Sequence, residues 1–464
     1  MNNLKNIEAI IRIEAFNTKL DLFNPYKNLH EYKSTGTGFF IKEKLILTCY
    51  HVVEDSVNIF ITIPKKGKKK YQVKLVFFCP DCDIALLQTF NYNSKYILNV
   101  DDSDNMKELD KVTAIGYPIG SENIIYTMGI ISGMYNYLFQ TDAAINAGNS
   151  GGPLLNTNNK VIGINVQKIV SKDVDNIGYS IPIKLFIDMI KFILKKQLIV
   201  RKPMFLCNFY NNSIEYINKN QIKNINQGYI IYDILDNFLF KNSGIDNYDI
   251  LIKIDDYIID NFGECSVLWS NEKIHINNLL IRYNVDDIIT IEYYSLKQHK
   301  IINKSIKINE TPLEIIEIYK HSNEKIEYEI LGGLIITPIT LNHLYDLNNS
   351  NINNSRLYEL VKYKKSENRL SGKLFISNIL PGTYADTLNI FKNGDIIKKV
   401  NNNEVKNIND FINNCCINND FIEIETLENK KIILDINKIL DLEESINKRF
   451  IFKSTKIIEK LKKK

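Results

Sequence analysis

Residues 140–156 read QTDAAINAGNSGGPLLN, a serine set among glycines with Pro153 close behind. A serine hydroxyl is a weak nucleophile at neutral pH. It needs a base, a group that orients the base, and donors for the oxyanion that forms. Residues 48–53, TCYHVV, end an apolar run and present His51, and residues 81–88, DCDIALLQ, place Asp83 directly before a strand-like run. With Ser150 as candidate nucleophile, the chain order is His, Asp, Ser. GNSGG also satisfies the G-x-S-x-G pattern of the α/β-hydrolase elbow, but there the histidine follows the serine and a helix follows the elbow. Here His51 lies far upstream, and residues 154–167 read as a strand interrupted by a turn. Order and context predict a mostly β fold, a chymotrypsin-like double β-barrel.

Seven segments in sequence carry a resemblance: TGTGFFI (35–41), LTCYHVV (47–53), CDIALLQ (82–88), GYPIG (116–120), the serine stretch, VIGINV (161–166) and IGYSIPI (177–183). Together they resemble the trypsin-like protease domain of the HtrA (DegP-type, Deg) family. The resemblance implies acyl transfer in which His51 takes the Ser150 proton and Asp83 fixes the imidazole. Asp83 is preferred to Asp81, which reads as a turn residue beside Pro80. The implied oxyanion hole is the backbone N–H groups of Gly148 and Ser150 with Asn149. In this fold the residue six positions before the nucleophile floors the S1 pocket. Here it is Ala144, so with Ile145, Ile164, Asn165 and Val166 nearby a small or aliphatic P1 side chain is expected. Asp142 belongs to the TDAAIN turn and is expected to be structural. Cys49 and Tyr50 depart from the small polar residues the family carries before its histidine.

The 464 residues suffice for two to four domains, and 45% hydrophobic with 24% charged residues is ordinary globular composition. A net charge of +4 is too mild to argue for nucleic acid, and the lysine run 65–70 joins two strand-like segments as a hairpin turn. No segment reaches the roughly 18 to 20 apolar residues of a membrane span, and the first residues lack a secretory pattern. An intracellular, cytoplasmic location is expected, with nuclear targeting open. Seven cysteines at irregular spacing fit a reducing compartment. Cys79 and Cys82 form a C-x-x-C beside Asp83, more simply a chance pairing than a redox gate. No metal or other cofactor is implied, and without a P-loop the chain encodes no ATP-driven step.

Beyond residue 200 short strands alternate with Asn- and Asp-rich turns. Residues 227–254 resemble a PDZ domain, with residues 228–233 as the edge strand that would pair with an added peptide. Gln227, Gly228, Tyr229, Ile230 and Ile231 are the expected peptide-binding residues. Residues 372–405 repeat the pattern, and 331–341, LGGLIITPITL, with an insertion at 348–368 expected to be a mobile loop, resemble the second PDZ domain of the plant and fungal Deg branch, which serves assembly. The chain thus divides into a trypsin-like domain (1–199), two small α+β PDZ-like domains (200–306 and 307–440) and a basic, solvated tail (441–464). The expected function is ATP-independent hydrolysis of peptide bonds in unfolded or partner proteins by a homo-oligomer, a trimer or a multiple of one. The alternative is a chaperone or pseudoprotease scaffold that binds such proteins without cutting.

Overall fold

The computed structural model describes every residue except 1–6, 28–29, 119–120, 167–176, 237, 241–242, 311–312, 320–323, 325, 350–358, 418–419 and 464. Twelve strands build the N-terminal architecture. They are β1 (Ile10–Lys19), β2 (His30–Lys42), β3 (Leu45–Cys49), β4 (Ser56–Thr62), β5 (Lys70–Cys79) and β6 (Ile84–Thr89), then β7 (Lys111–Gly116), β8 (Ile125–Tyr135), β9 (Leu138–Thr141), β10 (Pro153–Leu155), β11 (Val161–Val166) and β12 (Gly178–Pro182). Each set of six closes on itself, in the orders β1-β2-β3-β6-β5-β4 and β10-β11-β12-β9-β8-β7. Closure removes exposed strand edges and lets alternate side chains fill the interior. Val112, Ala114, Ile131, Phe139, Leu154 and Ile162 fill the second barrel. The lysine run turns between β4 and β5, which pair antiparallel.

By contact density the chain forms two compact units, residues 1–17 with 32–311, and residues 18–31 with 312–464. The first unit holds both barrels and the first PDZ-like sheet. That sheet contains β13 (Asn208–Tyr210), β14 (Tyr229–Tyr232), β15 (Ile250–Ile254), β16 (Tyr257–Ile258), β19 (Ile288–Ser295) and β20 (Lys300–Lys307), with a separate ribbon of β17 (Glu264–Cys265) and β18 (Ile274–His275). Its order is β13-β14-β15-β19-β20, with β16 on β15. The expected edge at residues 228–233 is therefore not an edge. β14 pairs with β15 on one side and with β13 on the other, Phe209 opposite Ile231. Stacking of Phe209 on Tyr229, with centroids 5.0 Å apart, holds the short outer strand in place.

The second unit repeats the plan with β21 (Glu329–Leu331), β22 (Leu334–Pro338), β23 (Leu374–Ile379), β24 (Ile396–Val400), β25 (Asn403–Glu404), β26 (Phe421–Thr426) and β27 (Lys431–Asp435), in the order β21-β22-β23-β24-β26-β27 with β25 on β24. The tail over 441–464 is not a solvated appendage. Helix Ile436–Phe450 starts on the Asp435 cap, and helix Lys456–Leu461 buries Ile457, Ile458 and Leu461 against Phe411, Ile412 and Cys415. The lysines take the solvent face of an amphipathic pattern, so a basic sequence still supplies core. Residues 18–31, placed by sequence in the protease domain, cluster with this unit. Phe23 packs edge-on against His343 and Phe375, and Ser377 Oγ donates to Phe23 O at 2.9 Å. Of the expected mobile insertion, 350–358 lie outside the described residues, while Glu359–Lys364 and Ser366–Leu370 form 3-10 turns that bury Leu360 and Tyr363.

Candidate active site

His51 sits in the 3-10 turn Tyr50–Val52 at the end of β3, and Asp83 follows the 3-10 turn Pro80–Cys82 at the start of β6. Because β3 and β6 pair, with Cys49 opposite Ile84, the two turns leave one end of the first barrel side by side. Asp83 adopts φ 55°, ψ 41°, a left-handed conformation that aspartate tolerates better than most residues. It turns both carboxylate oxygens toward the histidine. Oδ1 accepts the His51 backbone N–H at 2.8 Å and Oδ2 lies 2.7 Å from His51 Nδ1. A carboxylate only accepts, so Nδ1 carries the proton and Nε2 is left as the free base. Burial lowers the His51 pKa, but the hydrogen bond and charge of Asp83 outweigh it and hold the group above the ordinary imidazole value. The side chain is 42% exposed, so that base is open to a substrate.

Ser150 lies in the turn between β9 and β10, largely buried. Its loop is held from behind by the first barrel. Thr37 N donates to Ser150 O at 2.9 Å, and Thr37 Oγ1 donates to Gly148 O at 2.7 Å. Gly151 N donates to Asn165 O, and Asn165 N to Gly152 O, each at 2.8 Å. Gly151 has φ 83°, and a Cβ there would meet Thr48 Oγ1 at 2.1 Å, Thr37 O at 2.2 Å and Cys49 N at 3.0 Å. Only glycine lets the serine turn approach the histidine turn so closely. The sequence reading passed over Thr37; its signal was a threonine between two glycines in a strand, TGTG.

The sites expected from sequence are only partly assembled. Gly148 (φ 95°) makes no N–H hydrogen bond among the described residues. Asn149 is a correction, since its N–H is committed to Asn146 O at 2.9 Å and cannot also serve an oxyanion. Ile145 packs with Ala143, Leu154 and Ile162 in the second-barrel core and is not a pocket wall. Ile164 and Asn165 are fully buried, and Asn165 Nδ2 donates to Ile115 O and Pro153 O. Ala144 is exposed and Val166 nearly buried. Asp142 is structural, accepting the Ile130 N–H at 2.7 Å. Tyr50 is buried and stacked on Phe78 at 4.6 Å.

In the first PDZ-like sheet, Gly228 N donates to the Asn261 side chain at 3.1 Å, which occupies a donor expected to face a peptide carboxylate. Gln227 is half-buried, while Tyr229, Ile230 and Ile231 lie in the inner strand β14. The linker between barrel and sheet runs beside the aspartate turn. Lys202 N donates to Asp81 Oδ2 at 2.7 Å, and its buried ammonium donates to Asn284 Oδ1 at 2.8 Å and Tyr283 O at 3.3 Å. Arg282 pairs with Asp104 at 2.9 Å while its guanidinium lies 4.5 Å from the Trp269 ring.

Two closed six-stranded barrels with a histidine–aspartate pair and a tightly braced serine turn are a serine-protease architecture. The family description of a trypsin-like peptidase domain matches residues 36–164, and that of a PDZ domain matches residues 318–456. Putative protease Do-like 13 of Arabidopsis thaliana is 25% identical over 447 residues, covering 92% of this chain and 84% of the relative. Over nearly its whole length the chain is similar to proteases of the HtrA/Deg type. Protease Do-like 4, mitochondrial, from the same plant is 27% identical over 92% of this chain and 80% of its own length. The serine protease Do-like HtrA of Bacillus subtilis (strain 168) is 28% identical over 60% of this chain and 64% of its own. The solved structure of an HtrA-type protease, AlgWS227A with decapeptide, matches with a TM-score of 0.52 at 20% identity, over 66% of this chain and 96% of that one. Like its HtrA relatives, the chain is a chymotrypsin-like serine endopeptidase with a PDZ domain downstream.

Proposed function

We propose that His51, Asp83 and Ser150 form the catalytic triad of an ATP-independent endopeptidase that cuts unfolded or partner proteins after small or aliphatic residues. The observation that carries this reading is the two-point grip of Asp83 on His51, which puts the proton of the neutral ring on Nδ1 and leaves Nε2 as the base. In acylation His51 Nε2 takes the Ser150 Oγ proton as Oγ adds to the substrate carbonyl, and Asp83 stabilises the imidazolium. The N–H groups of Gly148 and Ser150 receive the oxyanion. His51 then returns the proton to the leaving amine, and water repeats the cycle on the acyl-enzyme. An extended peptide can add to the outer edge of β13 in the first PDZ-like sheet by main-chain pairing, in place of the inner β14. The second PDZ-like domain contributes to assembly of a homo-oligomer.

The test is hydrolysis of reduced casein by the full chain and by Ser150→Ala, with cut sites mapped by mass spectrometry. Cleavage after aliphatic residues that falls about a thousandfold or more in the variant supports the reading. Equal activity in both proteins would sink it. Because Asp83 raises the His51 pKa, the base stays protonated to higher pH than a free imidazole. The acid limb of kcat/KM is therefore expected to lie above about 6.5 and to move down in Asp83→Asn.

A further inference from the structure

Acyl transfer uses the imidazole and the carboxylate, but the fold adds a third group to them. Cys49 ends β3 two residues before His51, fully buried, its thiol donating to Asn165 O at 3.3 Å. The Cys49 sulfur, a His51 ring nitrogen and an Asp83 carboxylate oxygen all lie within 4.8 Å of one another. Among the described residues no other group of three cysteine, histidine or acidic side chains is gathered this way. The sequence gives no hint of it, because Cys49 and His51 make a pair only with an aspartate more than thirty positions away.

We propose that Cys49, His51 and Asp83 bind a Zn2+ ion, and that the bound ion switches the protease off. Thiolate, imidazole and carboxylate are the donors this borderline-soft ion takes, and three protein ligands with an open fourth position are a common arrangement. Bonds of about 2.3 Å to sulfur and about 2.0 to 2.2 Å to nitrogen and oxygen place tetrahedral donors roughly 3.3 to 3.7 Å apart. His51 and Asp83 would spread slightly and the sulfur would close in, which side-chain rotation supplies. The fourth position would be left to water, as in other sites with three protein ligands. The thiol carries a proton, whereas zinc takes the thiolate. Zinc must therefore displace that proton to solvent, and binding strengthens as pH rises.

Inhibition follows from the proton count. With zinc on Nδ1, the neutral imidazole carries its proton on Nε2, so no lone pair remains to accept the Ser150 proton. The ion also takes the place of the Asp83 hydrogen bond that orients the ring. Inhibition rests on the triad assignment above, whereas binding does not, so the two are measured separately.

Binding is read on the full-length Ser150→Ala protein, dialysed against ZnCl2 with MgCl2 as control and assayed for bound metal, and again with CoCl2 by absorbance. The expected result is about one zinc per chain and a sulfur-to-cobalt charge-transfer band, both lost in Ser150→Ala/Cys49→Ala. Should that double variant lose its fold by circular dichroism, the isosteric Cys49→Ser carries the comparison. Hydrolysis by the chain with Ser150 intact should fall with ZnCl2 and return with EDTA, and Cys49→Ala should need at least about tenfold more zinc for the same loss. Absence of stoichiometric zinc, or equal zinc binding with and without the thiol, overturns the site. Zinc held through sulfur with hydrolysis unchanged overturns the inhibition, while the triad assignment stands or falls on the separate Ser150→Ala comparison.

Discussion

The two PDZ-like sheets share a strand plan and differ at one edge. In the first, β13 is the outermost strand, with no described strand beyond it. In the second, the strand in the corresponding place, β22, is covered by β21 through the tight turn at Gly332 and Gly333, with Ile330 opposite Ile335. The cover is itself pinned. Glu329 Oε2 accepts the Ile457 N–H at 3.0 Å, and Ile457, Ile458 and Leu461 bury their side chains beside Leu331 and Leu334. An unpaired edge offers its main chain to another strand, and a paired one does not. One sheet leaves this edge without a described partner strand, and the other has supplied its own. Their attachments differ in kind as well. The first is tied to the barrels by polar contacts at Lys202, Arg282 and Asp287, the last paired with Lys191. The second is closed by its own apolar C-terminus.

If the C-terminus is core, removing it should hurt the second unit most. Ile457→Ala and Ile458→Ala are each expected to cost about 2 to 5 kcal/mol, seen as a lower unfolding transition by calorimetry and early proteolysis within 312–464. Hydrolysis of a short peptide should persist. A solvated tail would show neither loss.

Acid should separate the units next. His343 is fully buried, its Nε2–H donating to Leu22 O at 3.0 Å and its Nδ1 2.8 Å from Thr340 Oγ1, and burial pushes its pKa down to about 4. The unfolded chain takes up this proton near pH 6.5 and the folded unit resists it. Stability is therefore complete above pH 6.5 and declines as pH falls toward 4, by roughly 3 kcal/mol in all. His343→Gln should flatten that decline in urea titrations at stepped pH, and an unchanged slope would assign it elsewhere.

The polar attachment of the first sheet should yield to a single change. Lys202→Met leaves the Asn284 and Tyr283 oxygens unpaired at a cost of about 1 to 3 kcal/mol, measured as a lower urea midpoint for the first unit. The second unit should not move. The smallest effect is the most direct test of the edge. In hydrogen exchange read by mass spectrometry, amides of 208–210 should exchange faster than those of 334–338, and equal protection would mean that both edges are covered.

Much of the candidate site was legible because its signals are local. Ser150 announces itself by glycines on both sides, and His51 and Asp83 each by the strand they border. Thr37 was harder, since its work is a contact with Gly148, 111 positions away. Ile145 and Asn149 were misassigned because a side chain's direction and an N–H's partner depend on how the turn folds back. The first PDZ-like edge was misplaced for a related reason. β13 is three residues long, too short for alternation to register, and β14 reads as an exposed strand until β13 lies beside it.

By itself, the sequence determined the reaction class, the double barrel and the repeat of two PDZ-like sheets, because patterns of a few adjacent residues encode each of them. Only the tertiary structure decided which strand lies outermost in each sheet, that a lysine-rich C-terminus is core, and that a cysteine joins the histidine and aspartate. Those outcomes are pairings between residues far apart in the chain, and no local pattern records which distant partner a buried side chain or backbone group will find.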